Sequence, residues 1–168
     1  MLSDNITLRI LKEKDYTEDY LNWFSDPDVV RYSQNRFKTF SRQGQLNYIR
    51  SFLKNNNKYL YGIFFKKKHI GNIELNQIDH DNQTGNITYM IGCKEYWGNG
   101  IISYCIKEII EKAKLEVGLQ KLIAGCASKN IASIKVLKKN GFEVELIKKG
   151  FFIYDNEIMD CIIFKRLI

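Results

Sequence analysis

The sequence predicts a single domain of mixed α/β architecture, built on one sheet that contains antiparallel strands and a central parallel pair. The length of 168 residues suits one domain with one core. A composition of 45% hydrophobic and 27% charged residues is typical of a folded chain. Apolar residues recur at strand spacing in about seven segments and at helical spacing in about four. We therefore expect residues 1–168 to form one domain.

The N-terminal part of the chain begins with a strand pattern and continues with helix patterns. Residues 6–11 alternate like a half-buried strand. Aromatic residues between positions 16 and 24 then recur at helical spacing, as far as the turn at Pro27. Residues 41–53 predict a second helix, with Ser41 as its N-cap.

The middle of the chain has the pattern of an antiparallel meander. Residues 59–65, 70–78 and 85–93 read as three strands. The lysines at 66–68 form the first connecting turn, and the polar residues 79–84 form the second. Short connections of this kind join neighbouring antiparallel strands.

The segment after residue 93 indicates a long helix between two strands. From Gly98 onward one helical face is apolar and the other carries Lys and Glu, until Gly118 ends the helix. Residues 122–126 follow at once as a strand. A strand–helix–strand unit makes a right-handed crossover, so the strands 85–93 and 122–126 should be parallel neighbours.

The C-terminal part of the chain completes the sheet. Residues 131–140 predict a short helix with Asn130 as its N-cap. Residues 142–147 and 158–167 predict the last two strands, with a turn at the Lys-Lys-Gly of 148–150.

Composition and charge exclude several classes of function. The chain shows no signal-peptide pattern and no apolar run of membrane-spanning length, so we expect a cytoplasmic protein without a membrane partner. The cysteines lie far apart without a CxxC pair, which predicts free thiols and no metal site. The net charge of +7 is dispersed and is not interleaved with stacking aromatics. This distribution favours an anionic small ligand over specific nucleic-acid binding.

The loop Trp-Gly-Asn-Gly at 97–100 joins the end of a predicted strand to the start of the long helix. Its glycines leave the backbone amides at the helix mouth open, and helix N-termini carry unsatisfied N–H groups that attract phosphates. A plain glycine turn is the alternative that this loop leaves open by itself. The spacing matches neither a nucleoside-triphosphate loop nor a dinucleotide-binding loop.

Together, ITYMIG, KEYWGNG, IISYCIKEIIEKA and NIASIKVLKKNGF resemble the GNAT acetyltransferase superfamily. The segment RILKEKDYTEDYLNWFSDPDVVRY resembles its branch of ribosomal-protein N-terminal acetyltransferases. The resemblance implies the acyl-CoA N-acyltransferase fold and acetyl-CoA (CoA) as cofactor. It implies a pantetheine arm between two splayed parallel strands and a pyrophosphate at the loop. The implied cofactor-binding residues are Met90, Ile91, Gly92, Trp97, Gly98, Asn99, Gly100, Ile101, Ile102 and Asn130. Glu95 stands where relatives usually have Gln or Arg.

The resemblance also implies direct attack of a primary amine on the thioester, in a ternary complex. Many relatives carry a proton-donating tyrosine where this chain has Leu137, and Ser133 is the implied donor instead. The glutamate base of the branch is replaced by Asn86, which leaves Glu74 as the candidate base. An ordinary helix serine and a solvent-facing strand glutamate remain the alternatives for Ser133 and Glu74.

The acceptor site implied by the resemblance lies between the first two helices. Its candidate residues are Arg31, Tyr32 and Arg36, and two arginines suit a diphosphate. We expect a small-molecule amine such as a nucleotide-linked amino sugar. A protein N-terminus and a non-catalytic CoA-binding module are the alternatives, and the sequence leaves open whether the chain forms a homodimer.

Overall fold

The computed structural model describes residues 3–154 and 157–168, and it contains one seven-stranded sheet of order β1-β2-β3-β4-β5-β7-β6. The strands are β1 Ile6–Ile10, β2 Tyr59–Phe65, β3 Lys68–Asp79, β4 Thr84–Ile91, β5 Lys121–Ala127, β6 Glu143–Tyr154 and β7 Glu157–Leu167. The helices are α1 Glu18–Asn22, α2 Pro27–Val30, α3 Arg42–Leu53, α4 Ile101–Leu115 and α5 Ile131–Lys139. The predicted fold class is confirmed, with five α-helices in these ranges where the sequence predicted about four.

The first predicted helix is divided into shorter pieces. A 3₁₀ turn at Trp23–Ser25 follows α1 directly, and α2 then starts anew at Pro27. The Asp26 side chain accepts a hydrogen bond from the Asp28 N–H (2.9 Å), which caps α2. The helical segment ends at the predicted turn because Pro27 has no N–H to continue it, and the same residue suits the first position of a new helix.

The strand pairing agrees with the predicted topology. Strands β1 to β4 pair antiparallel in chain order, and β5 pairs with β7 and β7 with β6 in the same way. Lys66 and Lys67 both have positive φ and form the two-residue turn between β2 and β3. Strands β4 and β5 are the parallel pair.

The predicted turn at 148–150 is wrong. Lys148 and Lys149 lie inside β6, which continues to Tyr154. The register against β7 shifts between Lys148 and Phe152, and Gly150 has a φ of +59° within this irregular segment. Glycine in a strand often marks a bulge of this kind, and here its pattern resembled that of a turn. The Gly150 N–H donates to the Asp160 carboxylate at 3.0 Å.

Helices cover both faces of the central strands. Glu74 of β3 contacts Tyr48 of α3, whereas Tyr89 of β4 contacts Ser133 of α5. Glu74 lies directly opposite Thr88, and the side chains of neighbouring strand residues point to opposite faces. Helices α3 and α5 therefore lie on opposite faces of the sheet. None of the helices that the structure describes is long and apolar enough to cross a membrane.

Candidate active site between strands β4 and β5

The parallel strands β4 and β5 are hydrogen-bonded over only part of their length. Their pairing runs from Thr84 opposite Lys121 to Asn86 opposite Ile123 and then stops. Beyond that point β4 continues along β3, and β5 continues along β7. The facing edges of 87–91 and 124–127 thus border a gap in which backbone groups lack strand partners. An extended chain with amide groups fits such a gap as a substitute strand.

The direction of the backbone groups of β4 decides which of them face this gap. The Gly92 N–H donates to the Ile70 carbonyl at 2.9 Å, on the side of β3. Along a strand, the backbone N–H and C=O groups of successive residues point alternately to one side and to the other. Those of Met90 therefore also face β3, and those of Tyr89 and Ile91 face the gap. The Ile91 carbonyl accepts a hydrogen bond from the Trp97 indole (2.8 Å), which leaves the Ile91 N–H directed into the gap.

The loop before α4 leaves the first turn of this helix open. Gly98 and Gly100 both have a φ of +76°, and a Cβ atom at either position would meet nothing within 4 Å. Gly100 is the N-cap residue and provides no side chain to cap the helix. The amides of Ile101 and Ile102 therefore have no capping side chain, and the approach to them is unobstructed. An anionic group suits this position.

Three ion pairs fix the loop. Glu95 pairs with Lys68 at 2.8 Å, so a lysine offsets the carboxylate that stands where relatives have Gln or Arg. Lys94 pairs with Asp26 at 2.8 Å and with Asp28 at 3.0 Å. Lys94 thereby joins the loop to the start of α2, which places the candidate acceptor segment beside the cofactor loop.

Ser133 lies between side chains from both strands that border the gap. Its Oγ is 2.7 Å from the Tyr89 hydroxyl oxygen, and the Asn130 side chain accepts a hydrogen bond from its N–H at 3.2 Å. Burial raises the pKa of Tyr89 to about 12, and the hydrogen bond with Ser133 opposes this effect. Burial likewise raises the pKa of the Cys126 thiol on β5 to about 11, again against a hydrogen bond with Ser133.

Tyr89 is a residue that sequence reasoning missed. The α5 position at which many relatives carry a tyrosine is Leu137 in this chain, and it is buried with 1% exposure. The tyrosine hydroxyl beside Ser133 comes instead from β4. Alternation along β4 could have identified it, because Tyr89 and Ile91 share the face opposite to Thr88.

Glu74 lies on the other face of the sheet. Its Oε1 accepts a hydrogen bond from the Tyr48 hydroxyl and its Oε2 one from the Asn76 amide at 3.0 Å. Burial and the neighbouring carboxylate raise the pKa of Tyr48 above its usual value. The structure therefore does not bring Glu74 together with Ser133, although Glu74 is half-buried on the α3 face.

The three predicted acceptor residues line two adjoining cavities. One cavity of about 400 Å³ has Arg31, Arg36 and Tyr154 in its wall. A second, of about 280 Å³, shares Arg31 and Tyr154 and adds Tyr32 and Lys129. Lys129 lies between the end of β5 and the start of α5, so this cavity adjoins the open end of the gap.

The two arginines differ in what their guanidinium groups contact. Arg36 donates to the Ile153 carbonyl at 2.9 Å and to the Ser33 carbonyl at 3.1 Å, which joins the acceptor segment to β6. Arg31 is exposed, and its guanidinium carbon lies 5.5 Å from the Tyr32 ring centre. It also helps to lower the pKa of Glu157, after the larger effect of Lys129. Arg31 is the better placed of the two to meet an anionic ligand.

These features define an acyl-CoA-dependent acyltransferase, and sequence comparison identifies the family. Residues 5–143 match the family model described as an acetyltransferase (GNAT) domain. The chain belongs to this family and is an acetyl-CoA-dependent N-acetyltransferase.

Relatives and solved structures agree with this assignment. The uncharacterized N-acetyltransferase p20 of Bacillus licheniformis is 24% identical over 181 residues, covering 99% of this chain and 95% of its own. RimL, a ribosomal L7/L12 alpha-N-protein acetyltransferase solved with CoA, has a TM-score of 0.87 at 17% identity, covering 100% of this chain and 97% of its own. The microcin C7 self-immunity acetyltransferase MccE, solved with acetyl-CoA and AMP, has a TM-score of 0.83 at 23% identity, with coverage of 98% and 93%. At these identities the structures share the fold.

Proposed function

We propose that this domain acetylates the primary amine of a small molecule that carries an anionic group, such as a nucleotide-linked amino sugar. The observation that carries the proposal is the pair of cavities around Arg31, with Arg36, Lys38 and Lys129 in their walls. A cationic wall suits a phosphate or diphosphate. MccE, which shares the fold, was solved with AMP as well as acetyl-CoA, and this supports a nucleotide in the acceptor.

The gap and the start of α4 fit two parts of the cofactor, the pantetheine and the pyrophosphate. The free backbone edges of β4 and β5 suit the amides of the pantetheine, and the uncapped start of α4 suits the pyrophosphate. Gly98, Asn99 and Gly100 form the approach, and Asn130 borders the gap beside Ser133. When bound, acetyl-CoA supplies a thioester carbonyl open to attack and a thiol leaving group.

The Ile91 N–H polarises the reacting carbonyl in this proposal. It is directed into the gap, and its own carbonyl is fixed by the Trp97 indole. A backbone N–H held in place donates to an oxygen that gains negative charge without having to reorganise. Removal of one such donor typically costs about 3 kcal/mol of transition-state stabilisation.

Tyr89 and Ser133 form the proposed hydrogen-bonding pair for the leaving sulfur. Two hydroxyls that share one hydrogen bond of 2.7 Å leave one hydroxyl proton free, whichever oxygen donates to the other. Tyr89, with a pKa of about 12, gives up a proton to a thiolate of ordinary pKa only at a cost of about 5 kcal/mol, and a serine hydroxyl is a still weaker acid. Both residues therefore keep their protons. Tyr89 positions Ser133, the Ser133 hydroxyl donates a hydrogen bond to the sulfur, and CoA leaves as the thiolate, which takes its proton from solvent.

Glu74 is the proposed base for the acceptor amine. A primary amine of pKa ~10 must lose a proton before it attacks, which costs about 4 kcal/mol near neutral pH. Glu74 is on the α3 face of β3 and lies directly opposite Thr88 of β4, the strand that borders the gap. It takes the proton directly or through a water, while Tyr48 and Asn76 hold its carboxylate in place.

A protein N-terminus is the second candidate acceptor. RimL shares the fold over the whole of this chain and acts on the N-terminus of a ribosomal protein. A peptide would meet the same cavities through its α-amino group, without requiring the arginines to bind phosphate.

Thiol release from acetyl-CoA separates these acceptors. The panel contains a nucleotide-linked amino sugar, the same amino sugar without its nucleotide, spermidine, and a peptide with a free N-terminus. We expect turnover with the nucleotide-linked amine, with at least a tenfold lower kcat/KM for the sugar alone. Turnover only with the peptide would establish the second candidate, and turnover only with spermidine would exclude both.

A further inference from the structure

The chain contains two Asn-Gly sequences, at 99–100 and at 140–141. In such a sequence the backbone nitrogen of the glycine can attack the side-chain amide of the asparagine, because glycine has no side chain to obstruct the approach. The product is a cyclic imide, which water opens to an aspartate or an isoaspartate. Whether the reaction occurs in a folded protein depends on how firmly the surrounding structure holds the two residues.

The first of these sequences lies in the open loop before α4. Asn99 and Gly100 are both exposed. Asn99 stands between Gly98 and Gly100, which both have a φ of +76°, and a Cβ atom at either glycine would meet nothing within 4 Å. Glycines without close neighbours give the backbone more freedom than a helix or a strand allows. The loop can therefore reach the conformation that brings the Gly100 nitrogen to the Asn99 side chain.

Hydrogen bonds do little to hold the reacting groups of Asn99 and Gly100. The Asn99 side-chain amide donates to the Glu95 carbonyl at 3.5 Å, which is long for a hydrogen bond of this type. Within residues 3–154 and 157–168, no group accepts a hydrogen bond from the Gly100 N–H. The nitrogen that has to lose its proton and attack is therefore available.

The second Asn-Gly sequence has the opposite surroundings. Asn140 is only 2% exposed, and its side-chain amide donates to Ser103 Oγ at 3.0 Å and to the Val136 carbonyl at 2.8 Å. The Gly141 N–H donates to the Lys138 carbonyl at 3.0 Å. Because both reacting groups are held in hydrogen bonds, this sequence serves as an internal reference for the exposed one.

We propose that Asn99 is a site of spontaneous deamidation and that Asn140 is protected from it by the fold. The Gly100 nitrogen loses its proton and forms a bond to Asn99 Cγ, the bond from Cγ to the amide nitrogen breaks, and ammonia leaves. Water then adds to one carbonyl of the imide and opens the ring. An aspartate or an isoaspartate remains at position 99, and the reaction consumes only water.

The new carboxylate stands one residue before Gly100, the N-cap of α4. Negative charge near a helix N-terminus interacts favourably with the unsatisfied N–H groups there. The carboxylate therefore competes with an anionic ligand for the amides of Ile101 and Ile102, and it repels that ligand. This effect rests on the proposed position of the cofactor pyrophosphate. Deamidation then weakens acetyl-CoA binding, and bound acetyl-CoA slows deamidation because it holds the loop.

Peptide mapping by mass spectrometry tests the modification on the purified chain, kept at mildly alkaline pH without ligand. We expect the mass increase of amide-to-acid conversion to accumulate at Asn99, while Asn140 stays unmodified in the same sample. In urea Asn140 should react as well, because its protection comes from the fold. Asn99→Gln should remove the conversion at position 99, since glutamine has to close a larger ring. An unmodified Asn99, or equal conversion of both asparagines in the folded chain, overturns the proposal.

Two further measurements separate the modification from the proposed pyrophosphate position. Saturating acetyl-CoA should slow the conversion of Asn99 about tenfold, because little free protein remains. By calorimetry, Asn99→Asp should bind acetyl-CoA about tenfold more weakly than Asn99→Gln, since only the aspartate repels the phosphates. If acetyl-CoA does not slow the conversion and the two variants bind equally, the modification is confirmed and the proposed pyrophosphate position is wrong.

Discussion

The Tyr89 hydroxyl oxygen lies 2.7 Å from Ser133 Oγ, so strand β4 and helix α5 each supply one hydroxyl to the same point beside the gap. In the proposed mechanism this pair compensates for Leu137, which occupies the position where many relatives carry a tyrosine. The proposal gives the two residues different tasks: Ser133 contacts the leaving sulfur, and half-buried Tyr89 fixes the orientation of Ser133.

Substitution of Ser133 by alanine should lower kcat about 100-fold, the usual effect of losing one hydrogen bond to an atom that gains negative charge. Tyr89→Phe should lower kcat about tenfold, because Ser133 then loses its orientation but keeps its hydroxyl. The double variant should be no slower than Ser133→Ala alone, since residues that act as a unit are not additive. Steady-state kinetics with saturating acetyl-CoA measure all three.

Tyr61→Phe provides the matched control for Tyr89→Phe. Tyr61 is buried, and burial raises its pKa to about 12. It lies opposite Ile73, which in turn lies opposite Tyr89, so the two tyrosine side chains are on the same face of the sheet. Loss of the Tyr61 hydroxyl should leave kcat within about twofold of wild type, because Tyr61 lies on β2, away from the gap, and only groups that contact the reacting atoms or position such groups have large effects on kcat. Equal losses in both variants would mean that Tyr89 serves stability alone.

The pH dependence of kcat should rise with pH and then stay level on the alkaline side. The rise reports removal of a proton from the acceptor amine or its base. Burial holds the pKa of Tyr89 at about 12, so its hydroxyl keeps its proton throughout the range in which the enzyme can be assayed. A fall of kcat between pH 9 and about 10, where an ordinary tyrosine titrates, contradicts the assignment if Tyr89→Phe abolishes that fall.

Gly92→Ala should destabilise the fold by about 3 kcal/mol, the cost of overpacking a dense core. A Cβ atom at Gly92 would lie 1.9 Å from the Trp23 ring, so the ring or the strand must move. Urea denaturation measures the loss. Gly125→Ala on β5 is the milder control, because a Cβ atom there would lie 3.2 Å from its nearest neighbour, the Ile163 side chain. Unchanged stability with weaker acetyl-CoA binding would instead make Gly92 a cofactor contact.

Arg31→Met should raise the KM for an anionic acceptor at least tenfold, because a charge-assisted hydrogen bond contributes about 1.5 to 3 kcal/mol. Its melting temperature should not change, since Arg31 is exposed. Arg36→Met should behave in the opposite way and lower the melting temperature, because the Ile153 and Ser33 carbonyls lose their donor. An equal effect of both substitutions on KM would show that the cavity binds with both arginines.

Periodicity predicted the sheet well, because side chains that are half-buried on a strand or helix leave a regular pattern. It failed at two places where the residues are typical of one local structure but form another. The segment around Gly150 looked like a turn because glycine after two lysines fits a turn and a bulge equally well. The first helix looked continuous because its aromatic residues kept helical spacing across the 3₁₀ turn before Pro27.

The open loop before α4 was predictable from the sequence, and the Tyr89–Ser133 contact was predictable only in part. Gly98 and Gly100 shape the loop through their backbone conformation, and glycine in a loop before a helix is visible in a sequence. Tyr89 acts through a contact with Ser133, 44 positions away in the chain. Alternation along β4 predicts which face of the sheet carries Tyr89, but the contact also depends on the placement of α5, which no local pattern encodes.

Calorimetric titration of acetyl-CoA into three leucine variants tests the central claim that the α4 start and the gap bind this cofactor. Gly98, Gly100 and Gly118 all have φ near +76°, at +76°, +76° and +77°, and a Cβ atom at each would meet nothing within 4 Å. Leucine therefore imposes a similar backbone strain at all three positions, whereas only the first two lie at the start of α4. We predict at least a tenfold weaker affinity for Gly98→Leu and Gly100→Leu, with wild-type affinity for Gly118→Leu. Wild-type affinity in all three variants, or an equal loss in all three, would contradict the claim.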